Sequence, residues 1–294
     1  MPVHHDNTQL LVFTDLDGTL LDHYTYSAKP ALEALNVLKA HGIPVIFNTS
    51  KTAVECQAIS ASLGLCDPFV VENGSAIYYP KHHFDRQTLT KGNSTTPPVL
   101  EGVSNYWRVV LGAPLHQIHK VLTPLNSQFS FLTLSESSLA DICAVTGLSM
   151  EQAAKARNRE FSEPILWQDS AAALTQFRDV LTAAGLTLLK GGRFYHVLGQ
   201  SDKGHALSIA AGHYAARSHT AAARPLTIAL GDSDNDLAML AAADLPVLIS
   251  SPAHPPPPHD TINNLTISTR VGPAGWAECI FAILEKYHAD SRGQ

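Results

Sequence analysis

The chain has 294 residues, enough for one large or two modest domains, and its 45% hydrophobic and 16% charged residues are the composition of a folded protein rather than a disordered one. Against 26 Asp and Glu stand 20 Lys and Arg, a net charge of −6 that argues against nucleic acid or an anionic membrane surface as the main partner. No apolar run approaches the about 18 residues of a membrane span, and residues 1–6 lack the regions of a signal peptide. Cys56, Cys66, Cys143 and Cys279 are too scattered for a zinc site or a disulfide framework. A soluble enzyme of the reducing cytoplasm is expected.

In chain order, the continuous apolar run 10–13 predicts a strand buried on both faces, ending in Asp15 and Asp17. Leu32, Leu35 and Leu38 mark a helix over 30–40, stopped by His41 and Gly42. A second strand is expected over 45–47, a second helix over 52–63, and a third strand over 69–71, closed by Glu72-Asn73-Gly74. The same rhythm returns late in the chain, with strands over 226–230, 246–249 and 265–268 and helices over 234–243 and 275–287. This alternation predicts an α/β fold with a Rossmann-like, doubly wound parallel sheet.

The middle reads differently. A polar, Pro-containing segment at 91–98 suggests a linker, and helices follow over 116–125, 137–146, 149–158 and 171–184. Short strands are expected over 186–190 and 194–198. The expected division is a core of residues 1–87 and 197–294 and an inserted α+β domain of residues 88–196. The Ala-rich stretch 210–223 reads as a helix and its loop, and Pro255 to Pro258 as an extended, solvated loop; neither is assigned chemistry.

Four short segments carry the chemistry. Asp15-Leu16-Asp17-Gly18-Thr19 directly follows a buried strand, where open α/β sheets bind their ligands. Two carboxylates this close, with Gly18 allowing a turn after them, can divide the work, so one can attack while the other handles a proton. Asn48-Thr49-Ser50-Lys51 follows the second strand and offers a hydroxyl and amides to an anion. Asp202-Lys203-Gly204 precedes a helix and supplies a cation. Gly231-Asp232-Ser233-Asp234-Asn235-Asp236 lacks the spacing and terminal Glu of an EF-hand; carboxylates gathered at strand ends more naturally share Mg²⁺.

In this order, across residues 15 to 236, the segments resemble the haloacid dehalogenase-like phosphohydrolases, and an insertion between the Thr and Lys segments resembles the C2-type cap of their sugar-phosphatase branch. Arg159-Glu160-Phe161-Ser162-Glu163-Pro164, Gly191 to His196, Glu72-Asn73-Gly74 and Gly272 to Trp276 add a narrower likeness to the mannosyl-3-phosphoglycerate phosphatases.

The resemblance implies a Mg²⁺-dependent phosphatase acting through an aspartyl-phosphate. Asp15 would be the nucleophile and Asp17 the general acid and base. Thr49 would bind phosphoryl oxygens, and Lys203 would neutralise charge. Metal would be held by Asp15, the Asp17 carbonyl and Asp232, with Asn235 and Asp236 in support. Ser50, Arg159, Glu163, Arg193 and His196 are the candidates for binding a phosphorylated sugar acid. For the cap residues the alternative is that Arg159 pairs with Glu160 on a helix while Tyr195 and His196 pack inside a strand. Other activities to weigh are a glucosyl-3-phosphoglycerate or sucrose-phosphate-like phosphatase, a phosphomutase and a non-catalytic phosphosugar sensor. The cap is expected to close over substrate.

Overall fold

A computed structural model describes residues 9–90, 99–191, 194–217 and 224–292. Strand β1 (Leu10–Thr14) sends Leu10 and Val12 into one apolar cluster and Leu11 and Phe13 into another. Successive strand side chains leave on opposite faces, so an unbroken apolar run marks a strand covered on both sides. The chain continues through α1 (Leu32–Ala40), β2 (Val45–Asn48), α2 (Ala53–Leu63), β3 (Phe69–Val71), β4 (Ala76–Pro80), α3 (Arg86–Thr90), β5 (Val99–Val103) and β6 (Tyr106–Val110). Next come α4 (Leu115–Leu125), β7 (Phe131–Thr133), α5 (Leu139–Thr146), α6 (Met150–Arg157), β8 (Ser162–Trp167), α7 (Ala171–Ala183), β9 (Thr187–Lys190) and β10 (Tyr195–Leu198). The last stretch holds α8 (Lys203–Arg217), β11 (Leu226–Gly231), α9 (Leu237–Ala242), β12 (Leu245–Ser250), β13 (Thr266–Val271) and α10 (Gly272–Arg292).

A nine-stranded sheet runs β13-β12-β11-β1-β2-β3-β4-β6-β5. From β13 to β3 neighbouring strands are parallel, and β4, β6 and β5 extend that edge antiparallel. Residues of α1, α2 and α10 cover one face and residues of α3, α8 and α9 the other. Chain order reverses at β1, because β2 and β3 build to one side while β11, β12 and β13 build to the other. A reversal of this kind opens a crevice beyond the strand ends. The β1 end is tied to its neighbour there by Asp15 N donating to Leu230 O at 2.9 Å.

A second sheet, β7-β8-β10-β9, is antiparallel throughout. Its covered face packs Ile165, Leu188 and Val197 against Ile118, Leu122, Phe177 and Leu181 of α4 and α7. This is the expected inserted α+β layer, but the sheets part after Val110 rather than at residue 88. Strands β5 and β6 pair into the large sheet through β4. Their half-exposed edge pattern has no clean apolar period, which is why composition alone placed 99–110 in the insertion. At the other end the expected boundary at 196 falls inside β10. The 91–98 linker and the end of the Ala-rich stretch, 218–223, lie outside the described residues; 203–217 is the expected helix. Strands β4, β5, β6, β7 and β8 were not expected from sequence.

The insertion is fastened to the large sheet through Glu72. Its buried carboxylate accepts from Glu160 N (2.9 Å), Phe161 N (3.1 Å) and Ser162 Oγ (2.7 Å). Among the described residues no helix is long and apolar enough to cross a membrane. The insertion's own core can be weighed separately. Phe177 is fully buried among Phe129, Phe131 and Trp167, the Trp167 ring centroid lying 5.0 Å away. Phe177→Ala should cost about 3–5 kcal/mol, read by urea denaturation followed through tryptophan fluorescence.

Candidate active site

The crevice at the end of β1 collects charge that the surrounding helices bury. Asp15 is 6% exposed, Asp232 3% and Asp236 fully buried. One carboxylate oxygen from each lies within 4.8 Å of the others. A single ammonium enters the cluster: Lys203 Nζ sits 2.7 Å from Asp15 Oδ1 and 2.6 Å from Asp236 Oδ1. Lys203 is the first residue of α8, a position where the helix dipole disfavours a cation. The two carboxylates offset that penalty, and Asp202 caps the turn by accepting from His205 N at 2.7 Å.

The carboxylates do different things. Asp236 has both oxygens engaged, one with Lys203 and the other accepting from Asp232 N, Ser233 N and Ser233 Oγ. It therefore shapes the 231–236 turn and anchors Lys203. Asn235 reaches Asn73 Oδ1 at 3.0 Å rather than Lys203. Asp232 accepts from Thr19 Oγ1 at 3.1 Å, and its other oxygen lies 3.2 Å from His254 Nε2. Gly18 has φ +82°, and a Cβ there would stand 2.5 Å from Asp232 Oδ2, so the turn after Asp17 must carry glycine to let the two loops meet. Asp15 gives Oδ1 to Lys203, and Oδ2 takes no hydrogen bond among the described residues.

Three buried carboxylates around one ammonium leave excess negative charge, and the proton equilibria register it. Burial pushes Asp15 up to about 8, with Asp236 and Asp232 adding to the rise and Lys203 opposing it. Burial and Asp236 push Asp232 up to about 7. An all-oxygen set with an unsatisfied negative surplus suits a hard divalent cation. Asp236 is spent on Lys203 and the 231–236 turn, which leaves Asp15 and Asp232 as the carboxylates that could hold one.

Asp17 stands apart from this cluster. Its Oδ2 pairs with Lys51 Nζ at 2.8 Å, and its Oδ1 is buried with no hydrogen-bond partner among the described residues. Thr49 is buried; its amide donates to Val70 O at 3.2 Å, so that amide is not free for an anion. Its Oγ1 accepts from Lys51 N at 3.3 Å. Asn48 links this loop to α8 by donating to Lys203 O at 2.8 Å. Residues Glu72, Asn73 and Gly74 all have positive φ, and their turn returns two more bonds, Glu72 N to Lys51 O (3.0 Å) and Asn73 N to Thr49 O (2.9 Å).

The candidates in the insertion separate into two groups. Arg159 Nη1 donates to Ser50 O (3.1 Å) and Ser162 Oγ (3.0 Å), placing it on the Thr49 loop. It does not pair with Glu160, whose carboxylate meets Tyr78 and Arg108. His196 Nδ1 is buried without a partner among the described residues, and burial, then Arg159 and Lys203, lower this imidazole to about 3. It is therefore neutral. Glu163 pairs across the sheet with Val197, on the helix-covered face, while Pro164 pairs with His196 on the opposite face. Its buried carboxylate meets His119 Nε2 (2.6 Å) and Ser135 N (3.0 Å). The structure thus does not bring Glu163 to the crevice with His196. Arg193 lies outside the described residues.

Sequence reading gave no role to Lys51, Glu72 or His254. Lys51 and Glu72 sat inside quoted segments without any signal of their partners, and His254 was one histidine before a proline run. Trp276 has a structural reason for its place in the C-terminal segment: fully buried, it donates to Thr14 Oγ1 at 3.0 Å beneath the catalytic strand end.

Comparisons with known proteins agree with this architecture. A family model described as haloacid dehalogenase-like hydrolase matches residues 12–95. A glucosyl-3-phosphoglycerate/mannosyl-3-phosphoglycerate phosphatase of Methanococcoides burtonii is 34% identical over 278 residues, covering 94% of this chain and 97% of the relative. One of the same name from Persephonella marina is 32% identical over 280 residues, covering 94% and 98%. Among solved structures, a phosphatase of the haloalkanoate superfamily from Bacteroides thetaiotaomicron is 15% identical with TM-score 0.63, covering 97% of each chain. The fold and these relatives define a phosphoric monoester hydrolase with an inserted cap over a doubly wound core. The chain belongs to the haloacid dehalogenase-like hydrolase family.

The raised carboxyls set a pH dependence. Folded Asp15 and Asp232 retain protons that the unfolded chain releases near its ordinary value of 3.8, so the metal-free protein loses stability as pH rises toward about 7 to 8. A divalent cation held by the cluster would take over the role of those protons. Thermal melts with chelator and with added divalent cation should show a larger gain at about pH 9 than at about pH 5; an equal gain at both would mean that the carboxylate cluster does not hold the ion.

Proposed function

We propose that this chain is a Mg²⁺-dependent phosphatase that hydrolyses the phosphate monoester of mannosyl-3-phosphoglycerate, giving mannosylglycerate and phosphate. The glucosyl ester is the second reading, favoured because both sugars stand in the names of the relatives from M. burtonii and P. marina. The observation that carries the chemistry is the buried Asp15, held through Oδ1 by Lys203, with Oδ2 unbonded among the described residues, in one cluster with Asp232 and Asp236. Free Cys56, Cys66, Cys143 and Cys279 suit the reducing cytoplasm as its site of action.

Mg²⁺, held by Asp15, Asp232 and the Asp17 carbonyl, would offset the charge that otherwise repels a phosphate from these carboxylates. Asp15 Oδ2 attacks phosphorus while the bond from phosphorus to the alcohol oxygen breaks, leaving an aspartyl-phosphate. Asp17 protonates the departing alkoxide through Oδ1. It then takes a proton from the water that attacks the same phosphorus, releasing inorganic phosphate and restoring Asp15. Lys203 fixes the nucleophile and neutralises charge that accumulates on the phosphoryl group. The Thr49 hydroxyl and the Ser50 loop receive phosphoryl oxygens. Arg159 and the neutral His196 are placed to meet the sugar-acid part.

Asp15→Asn should lower turnover by at least about 10³-fold while the protein still melts cooperatively. Phosphate release from a panel of mannosyl- and glucosyl-3-phosphoglycerate, sucrose 6-phosphate and hexose phosphates, with Mg²⁺ present, checks the substrate. A preference for hexose phosphates would replace the sugar-acid reading, and conversion without phosphate release would point to a mutase.

A further inference from the structure

We infer that Lys51 is a positioning residue that presents one chosen oxygen of Asp17 to the leaving group. This rests on the reading of Asp17 as the proton donor. Lys51 Nζ grips Asp17 Oδ2 at 2.8 Å. The other oxygen, Oδ1, is buried and makes no hydrogen bond among the described residues. A free carboxylate in water rotates between two equivalent oxygens; this one cannot, because one oxygen is pinned by a charged partner.

Lys51 is itself pinned. Its amide donates to Thr49 Oγ1 and its carbonyl accepts from Glu72 N at 3.0 Å, so its backbone is fixed from both the phosphate-side loop and the 72–74 turn. Its ammonium lies 3.7 Å from Glu55 Oε1 and 5.4 Å from the centre of the Tyr26 ring. Glu55 is held in turn by the capping box at the start of α2, where its Oε2 accepts from Thr52 N at 2.9 Å. With a side chain only 12% exposed, Lys51 has little freedom to leave. An isolated surface ion pair orients weakly, but a cation anchored at its backbone and at a second carboxylate fixes its partner. Asp15 and Asp17 thus pair with different lysines, each anchored by a second carboxylate: Lys203, also on Asp236, sets the nucleophile, and Lys51, also near Glu55, sets the proton donor.

The test separates orientation of a proton donor from general damage by comparing leaving groups. Alkoxide departure from a glycosyl-3-phosphoglycerate needs a proton, whereas p-nitrophenolate departs without one. The readout is kcat/KM, which reports steps up to departure of the alcohol. Lys51→Met should lower kcat/KM for the glycosyl ester about 10- to 100-fold further than for p-nitrophenyl phosphate. Asp17→Asn should show the same bias, and a larger one. If Asp17→Asn is biased but Lys51→Met lowers both esters by the same factor or neither, Lys51 does not act through Asp17 and the inference is wrong. If Asp17→Asn shows no bias, the proton-donor reading fails and takes the inference with it. Should Lys51→Met not fold, Lys51→Gln is judged by the same ratio.

Discussion

One buried ammonium governs the site. Lys203 bridges Asp15 and Asp236 at 2.7 Å and 2.6 Å in a space closed to water. Removing a partner from a buried ion pair costs about 3–5 kcal/mol because the remaining charge is stranded. Neither of the two loops that end β1 and β11 can therefore move without the start of α8. The ammonium does not balance the site. With Asp232 included, negative charge exceeds positive, and the raised carboxyls of Asp15 and Asp232 are the visible consequence. The fold holds together a cluster that is electrostatically incomplete by itself, and that incompleteness is what fits the cluster to a divalent cation and a phosphoryl group.

The sheet topology decides which residues can join. Only at the reversal of strand order do the C-terminal ends of β1 and β11 lie side by side with helices drawn away to either side. Asp15 leaves β1 into the buried cluster, and Asp17, beyond it, turns toward the α2 side to meet Lys51. The short sequence separation gives proximity; the opposite directions give separate electrostatic surroundings. Two identical side chains can then differ in role, one bonded to a buried ammonium inside the carboxylate cluster and the other paired with Lys51 through one oxygen.

Much of this was legible because the signals were local and chemical. A two-sided apolar strand ending in carboxylates identified β1 and Asp15, and the same pattern found β2, β3, β11 and β12. What escaped was set by long-range pairing. Strands β4, β5 and β6 are defined by hydrogen bonds to one another, and β5 is half-exposed, so no period announced them. Glu163 and His196 were grouped because both lie in quoted segments of the insertion; without β8 as a strand, the parity that puts them on opposite faces could not be counted. Lys51 reads in sequence as one turn away from Glu55, and nothing local reveals that its stronger partner lies 34 positions earlier, at Asp17.

The same parity narrows how the insertion can read a substrate. On β8 and β10, the face that carries Pro164 and His196 is the one opposite the α4 and α7 packing, and Arg159 and Lys203 both reach His196 electrostatically. Glu163 is spent on His119 and Ser135 within the covered layer, where it braces α4 against β8. Under the proposed function, the edge of the insertion that touches the core is where selectivity would be built. There Glu72 gathers Glu160, Phe161 and Ser162, and Arg159 takes hold of Ser50. Because Glu72 also anchors Lys51 through its amide, the contacts that seat the insertion share a turn with the residue that orients Asp17. Under the proposed function, placement of the leaving group and of its proton donor would be coupled through one short backbone segment, held in a left-handed conformation by its hydrogen bonds.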